Sequence, residues 1–468
     1  MGWMRWQPLP DVERFCGFAN SEIDSAQTLN RTKMRIEYLN HACVIIKSDE
    51  QSLLCDPWFS GTAFGGGWGL QYDNPEALEK ATSCTHLWIS HFHPDHLHMP
   101  TLKQLATFSP NITVLANESA NFRVSEALQK AGFQNIVPLF ERRKVLLTSN
   151  MNVMRYPTAG IDNMLLIETP EGRILNYNDC HLPIGALKLL LNKIGNVDIL
   201  LNNFNHAMKF IDNPRKSDDE IRTGLKTNYK KVLDAINPKW AIPFASAHYY
   251  RARDTRWQNE SLLQSEDLVE LDPRILPLRI GSEVTFDDKL QPTLSLPSTK
   301  ISSNTKDIML EGESVPFDAV VSAAKDFGKR LKQSLFGLKF WIPELRIRVE
   351  EYGRVIRFDV KNQVFAEDDR EIEEPHIGAH SYALYQWFTK PYGADSFFIG
   401  GHFAVLSKST APIKRVLLAC SLMEKRLSPR SLAHYLLRPS GIKFLLNRRE
   451  EIVVTLSQRR LRVGDRVS

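Results

Sequence analysis

From Met34 onward, short apolar runs alternate with turn residues, a rhythm that predicts strands. Residues 34–39, 43–47 and 52–55 form a first close set, followed by 85–90 and 112–116. A second set, 152–156, 164–168, 173–176, 198–201 and 240–244, has the same character. Between the strands, apolar residues recur at helical spacing over 75–82, 118–131, 182–192 and 218–236. Interleaved strands and helices predict a layered α/β architecture.

Around 287–316 the pattern fades into Ser, Thr, Pro and Lys, a composition that reads as a boundary. Beyond it, 318–336 is helix-like, 345–350, 355–360 and 397–399 are strand-like, and 417–426 and 432–437 are helical again. The expected division is an N-terminal extension over 1–33, in which Trp3 and Trp6 could anchor, and an α/β domain over 34–290. A linker over 291–316 and a C-terminal α+β domain over 317–468 complete it.

Composition narrows the classes further. The 468 residues are 43% hydrophobic and 24% charged, which suits folded domains with sizeable cores and excludes a wholly disordered chain. A net charge of +5 gives no global basic field, so no nucleic-acid partner is expected. The charge is uneven, with 14 Lys/Arg against 4 Asp/Glu from Gly401 to Ser468. Most of these belong to solvated faces of a folded domain, and Arg459, Arg460, Arg462 and Arg466 are the ones free to dock an anion. The six cysteines are scattered through apolar runs without a CxxC pair, as free thiols of a reducing compartment would be. No signal-peptide pattern or transmembrane segment is visible, so the expected location is cytoplasmic.

The chemistry concentrates in one loop. Five of the 13 histidines fall in the stretch from His86 to His98, which contains His91-Phe92-His93-Pro94-Asp95-His96. A strand ending at Ser90 places this loop at a sheet edge. The alternation points His91 and His93 one way and turns Asp95 and His96 toward a second position. Neutral imidazoles with a carboxylate suit one or two divalent metal ions, zinc or iron. Asp179 follows another strand in Asn176-Tyr177-Asn178-Asp179, and His248 follows a third in Phe244-Ala245-Ser246-Ala247-His248. Taken alone, Asp179 also reads as a helix N-cap and His248 as a packed core histidine.

This arrangement resembles the metallo-β-lactamase superfamily over about residues 34–290, which implies a metallo-β-lactamase-like four-layer αβ/βα sandwich. The resemblance implies a metal set of His91, His93, Asp95, His96, Asp179 and His248, with Asp95 and His41 as catalytic candidates. It implies that Asp56 orients ligand imidazoles from behind. Where related proteins carry a further histidine, this chain has Pro157-Thr158-Ala159-Gly160, and Asp162 is the available carboxylate substitute or a turn former. Asn40-His41-Ala42 and Asp56-Pro57-Trp58 are similar to the branch holding ascorbate-6-phosphate lactonase and N-acyl-phosphatidylethanolamine phospholipase D. The fuller stretch from Asp56 to Trp68, with Asn176 to Cys180, looks more like the β-lactamase-like domain of CMP-N-acetylneuraminate hydroxylases. Those enzymes carry a Rieske cluster, for which Cys84-Thr85-His86 is only a half-match here.

The leading functional expectation is a metal-dependent hydrolase that uses a metal-activated water on an ester, phosphoester, amide or lactone of a small anionic substrate. The alternative is a di-iron oxygenase acting on a nucleotide-sugar-like molecule with an external reductase. A degenerate binding module is the third. Trp68, His206, Tyr249 and Arg251 are the expected substrate contacts, each equally readable as packing. Gly65, Gly66 and Gly67 read as a flexible loop, or as part of a lid with Trp58, Phe64 and Trp68. A homo-oligomer is compatible with this chain.

Overall fold

The computed structural model describes residues 33–117, 124–158, 161–212, 214–297, 301–304, 308–309, 312–335, 341–370, 374–425 and 428–430, with isolated residues beyond. Trp3, Trp6, Gly160, the 432–437 helix and the four tail arginines lie outside the described residues. The described residues from Lys33 onward form one compact unit.

Two sheets face one another. The first has eight strands in the order Pro292–Ser295, Glu283–Phe286, Met34–Asn40, Cys43–Ser48, Gln51–Cys55, His86–Trp88, Thr113–Asn117 and Ile136–Leu139. It is antiparallel up to Gln51–Cys55 and parallel from there on. The second has six strands, Lys144–Leu146, Asn152–Pro157, Asn163–Glu168, Arg173–Asn178, Ile199–Asn202 and Trp240–Pro243, with parallel pairing at its last two joints.

Strand alternation sorts the side chains into layers. Val44, Ile46, Leu53 and Trp88 turn inward to meet Leu165, Ile174, Ile199 and Leu201 across the sandwich. Their neighbours Ile45, Leu54, Leu87 and Val114 turn outward against helices that include Met99–Phe108 and Val124–Ala131. On the far side, Leu166, Leu175 and Leu200 pack under the helices Ile184–Ile194 and Asp218–Ile236. The result is the expected helix–sheet–sheet–helix sandwich. Asp218–Ile236 begins at a capping box in which Ser217 Oγ accepts from the Glu220 N–H and Glu220 returns the bond.

The C-terminal region holds its own core between a five-stranded sheet and the helices Phe317–Leu335, Ser381–Thr389, Gly393–Gly400 and Ala411–Glu424. Two expectations change. The 397–399 run is the end of the helix Gly393–Gly400 and not a strand. Such a short apolar run fits either period, and burial on all sides supports the helix. The segment expected to begin the linker instead contributes Pro292–Ser295 to the edge of the large sheet.

Among the described residues, no helix is long and apolar enough to cross a membrane. Cys43, Cys55, Cys84, Cys180 and Cys420 are free and buried.

Candidate metal centre

The strand ends of both sheets converge on one point, and the backbone bends sharply to get there. His41, Asp56 and Asn178, each at or just past a strand end, have positive φ values of 32°, 42° and 55°. Non-glycine residues adopt this conformation only when their surroundings hold them to it. Asp56 shows how. Its carboxylate accepts from the Ser90 N–H and Oγ, from Asn178 Nδ2 at 2.7 Å, and from His96 Nδ1 at 3.0 Å. It therefore fixes the ring of His96 so that Nε2 faces the centre.

Around that point the loop residues form overlapping groups. His91 Nε2 lies 3.0 Å from His93 Nδ1 and 3.8 Å from Asp162 Oδ1. His96 Nε2 lies 3.2 Å from Asp179 Oδ2 and 3.4 Å from Asp95 Oδ2. His41 Nε2 reaches Asp95 Oδ2 at 3.2 Å. In each of the sets His91/His93/Asp162, His91/His96/Asp179 and His41/Asp95/His96, the candidate ligand atoms lie within 4.8 Å of one another. Asn203 Nδ2 holds the other oxygen of Asp179. The ring of His248 stands 5.4 Å from that of His41 and stacks on Trp68 at 3.8 Å.

Burial sets the charges. It pushes His91 well below the ordinary histidine range, helped by His96 and His93, and it does the same to His248, helped by His41. Both imidazoles are thus neutral, the form that binds metal. Burial also pushes His96 down, but Asp95, Asp179 and Asp56 together outweigh it and hold that ring charged. Asp95 and Asp179 are held low against their own burial, chiefly by His96. Asp162 is pushed up by burial and by Asp179.

The donor set fits a metal. Four carboxylates crowd a buried space in which protonated His96 stands where cationic charge is needed. Both ring nitrogens of His248, His41 Nδ1, His93 Nε2 and Asp95 Oδ1 are buried without a hydrogen-bond partner among the described residues. Buried polar atoms are rarely left so, and bound ions are among the explanations when they are.

A cavity of about 530 Å³ opens from this point, lined in part by Phe64, Trp68, His93, Asp95, Asp162, Asp179, His206, Lys216 and Lys425. Trp68 therefore lines the cavity. His206 is also there, but Tyr250 Oη at 2.7 Å and Ser261 Oγ at 3.1 Å occupy both its ring nitrogens, and burial pushes it down to about 4. Tyr249 and Arg251 are not at this cavity. The segment His248–Tyr250 is a strand paired with Trp68–Leu70, so alternation turns Tyr249 away from His248 and onto Gly69. Arg251 donates to the Gly66 carbonyl at 2.8 Å and faces a separate cavity.

The glycine run begins in a short 3-10 turn, Phe64–Gly66. A Cβ at Gly67 would stand 2.4 Å from the backbone oxygen of Gly400, so this glycine allows a close approach of two main chains. Trp58 is fully buried. His98 is the N-cap of Met99–Phe108, where it accepts from the Thr101 N–H, and it takes no part in the centre. Sequence reasoning did not reach Asp395, which stands 3.7 Å from His93 Nε2 on the helix Gly393–Gly400.

Residues 35–245 match the family model described as "Beta-lactamase superfamily domain". The chain is similar to cytidine monophosphate-N-acetylneuraminic acid hydroxylase of Xenopus laevis, 28% identical over 313 residues, which cover 62% of this chain and 51% of the relative. It is 33% identical to the enzyme of that name from Macaca mulatta over 173 residues, covering 36% of this chain and 29% of the relative. The chain thus spans about half, or less, of the length of these relatives. Among solved structures, CmlA, a diiron beta-hydroxylase from Streptomyces venezuelae, aligns over 51% of each chain at 17% identity and a TM-score of 0.36. An isothiocyanate hydrolase from Delia radicum gut bacteria aligns over 54% of this chain and 99% of its own, at 13% identity and a TM-score of 0.40. Family match and layer order agree, and the segment 35–245 is a domain of the β-lactamase superfamily with a metallo-β-lactamase-like fold.

Proposed function

We propose that this protein is an iron-dependent hydroxylase that acts on a small anionic substrate of the nucleotide-sugar kind. The observation that carries this reading is the convergence of His91, His93 and Asp162, two imidazoles and one carboxylate. That donor set suits non-haem iron in oxygenases, with coordination positions left open. The hydroxylase names of the relatives support the same reaction class. They move it ahead of hydrolysis, which the sequence alone put first.

His91, His93 and Asp162 would hold one metal, and His96, Asp95 and Asp179 a second, with His248 beside it. When bound, iron supplies the capacity to reduce dioxygen with electrons from an external reductase. The chain's own groups do the rest. Asp56 holds the His96 ring in place through Nδ1. His41 fixes Asp95. Trp68 and Phe64 exclude water from one wall, and Lys216 and Lys425 attract an anion to the cavity.

A second reading, a zinc hydrolase, is favoured by the His96/Asp95/His41 group, which lies directly beside the first and suits a two-metal clamp.

The test is reconstitution of the full chain with Fe(II) under anaerobic conditions, then addition of reductant, oxygen and CMP-N-acetylneuraminic acid as probe. Product one oxygen atom heavier, with iron retained through gel filtration, is the expected result. Retained zinc with oxygen-independent cleavage of ester or lactone probes would move the assignment to the hydrolase. If the chain retains neither metal, and neither restores binding, both readings fall.

A further inference from the structure

A metal-bound imidazole leaves its other ring N–H inside the protein, and that N–H needs an acceptor. His96 has Asp56 for this purpose, and His91 Nδ1 has Ser90 Oγ at 2.9 Å. His93 points Nδ1 into the centre, toward His91, and Nε2 out of it. That outer nitrogen is 3.7 Å from Asp395 Oδ2, and neither atom has a hydrogen-bond partner among the described residues.

Asp395 comes from the C-terminal region, and its place is fixed. It is a buried residue, 4% exposed. The Glu424 carboxylate accepts the N–H groups of Ala394 and Asp395 at 3.1 Å each, holding the first turn of the helix Gly393–Gly400. At the other end of that helix, the Ile399 carbonyl accepts from Trp68 Nε1 at 3.2 Å. The helix is thus tied on one side to the C-terminal core and on the other to the wall of the cavity.

We infer that Asp395 is a positioning residue of the metal centre, the outer carboxylate that receives the Nε2–H of His93 and directs Nδ1 to the metal. This inference rests on the metal-centre reading above. It makes the C-terminal region part of the centre, since the carboxylate reaches His93 only when that region is docked. Closing 3.7 Å to a hydrogen bond requires a side-chain adjustment of less than an ångström.

The experiment measures Co(II) affinity and the Co(II) absorption spectrum of full-length wild type, Asp395→Ala, Asp395→Asn, Phe398→Leu and His91→Ala, using a chromogenic chelator as competitor. Loss of an outer-sphere partner typically weakens metal binding by about 10–100-fold. Asp395→Ala should show that loss with a shifted spectrum, and Asp395→Asn, which keeps an acceptor, a smaller one. Phe398 is buried in the C-terminal core on the same helix, so Phe398→Leu should lower the unfolding midpoint and leave affinity unchanged. Wild-type affinity in Asp395→Ala alongside lost binding in His91→Ala would overturn the inference alone. An equal loss in Phe398→Leu would also overturn it, by making helix packing the cause. Undiminished binding in His91→Ala would instead overturn the metal-centre reading beneath it.

Discussion

Buried charge occurs in both halves of the molecule and is handled in opposite ways. In the C-terminal region, Arg346 and Asp368 are each 2% exposed at the side chain and lie 2.6 Å apart, with Arg370 against the other carboxylate oxygen. Donors and acceptors match, since Arg346 also donates to the Arg370 carbonyl and Arg370 turns its guanidinium to Glu344 as well. In the β-lactamase-like half, Asp56, Asp95, Asp162 and Asp179 share a space in which His96 is held charged, and several imidazole nitrogens have no hydrogen-bond partner among the described residues. A matched pair needs nothing further, whereas an unmatched cluster calls for a cation. The difference distinguishes a structural ion pair from a binding site without appeal to any motif.

The largest effect should come from breaking the matched pair. Asp368→Ala leaves Arg346 buried and uncompensated, which costs about 3–5 kcal/mol in comparable cases. Chemical unfolding of the metal-free protein measures it, and a change below about 1 kcal/mol would contradict the account of Arg346 as a stranded charge. The sign with pH follows. Arg370, with Arg346 behind it, holds Asp368 well below the usual carboxylate range against the opposing effect of burial. The folded pKa is lower than the unfolded one, so this stability is fully present above about pH 4 and is lost as pH falls below that. Asp368→Asn should therefore flatten the acid limb of the stability curve.

The unmatched cluster should respond to metal instead. A ligand that binds only the folded state at a hundred times its dissociation constant stabilises it by about 2.7 kcal/mol. Wild type should gain that amount from added Fe(II) or Zn(II), and Asp179→Asn should lose most of the gain. In the absence of metal, Asp179→Asn should be much milder than Asp368→Ala, because it also relieves the repulsion among Asp95, Asp162 and Asp179. A large destabilisation of metal-free Asp179→Asn would mean that the cluster is structural, and the contrast between the halves would collapse.

The sequence exposed the cluster well and its surroundings poorly, for physical reasons. His91, His93, Asp95 and His96 share one loop, so local pattern picked them out, whereas Asp179 and His248, each past a readable strand, became candidates only through the family resemblance. The α/β class was legible from runs such as Cys43–Ser48 and Arg173–Asn178, which are buried on both faces, while the order of the layers came from the family resemblance. The helix Met99–Phe108 was not legible, because its cap is a histidine rather than one of the usual capping side chains. Asp395 carries no local signal at all. Its relation to His93 is created by docking of segments about 300 residues apart, which no periodicity encodes. That Tyr249 turns away from this cavity was not legible either, because a strand of three residues is too short to show its alternation.

The smallest effects lie where the two halves meet, and glycine substitutions sharpen the comparison there. Gly67 has ordinary right-handed backbone angles, so no conformational strain opposes Gly67→Ala. The obstacle is contact alone, since the new methyl would lie 2.4 Å from the Gly400 oxygen and 2.6 Å from its Cα, both main-chain atoms that cannot rotate aside. Overpacking of this kind costs about 1–3 kcal/mol. Gly224, inside the helix Asp218–Ile236, offers the opposite case, because nothing lies within 4 Å of the position a Cβ would take. Gly224→Ala should stabilise by about 0.5–1 kcal/mol through helix propensity. Opposite shifts in the unfolding midpoint are the expected outcome. Should Gly67→Ala prove as harmless as Gly224→Ala, the main chains of the two halves do not meet at Gly400. The helix that carries Asp395 would then depend on the hydrogen bond from Trp68 Nε1 to the Ile399 carbonyl for its tie to the wall of the metal centre.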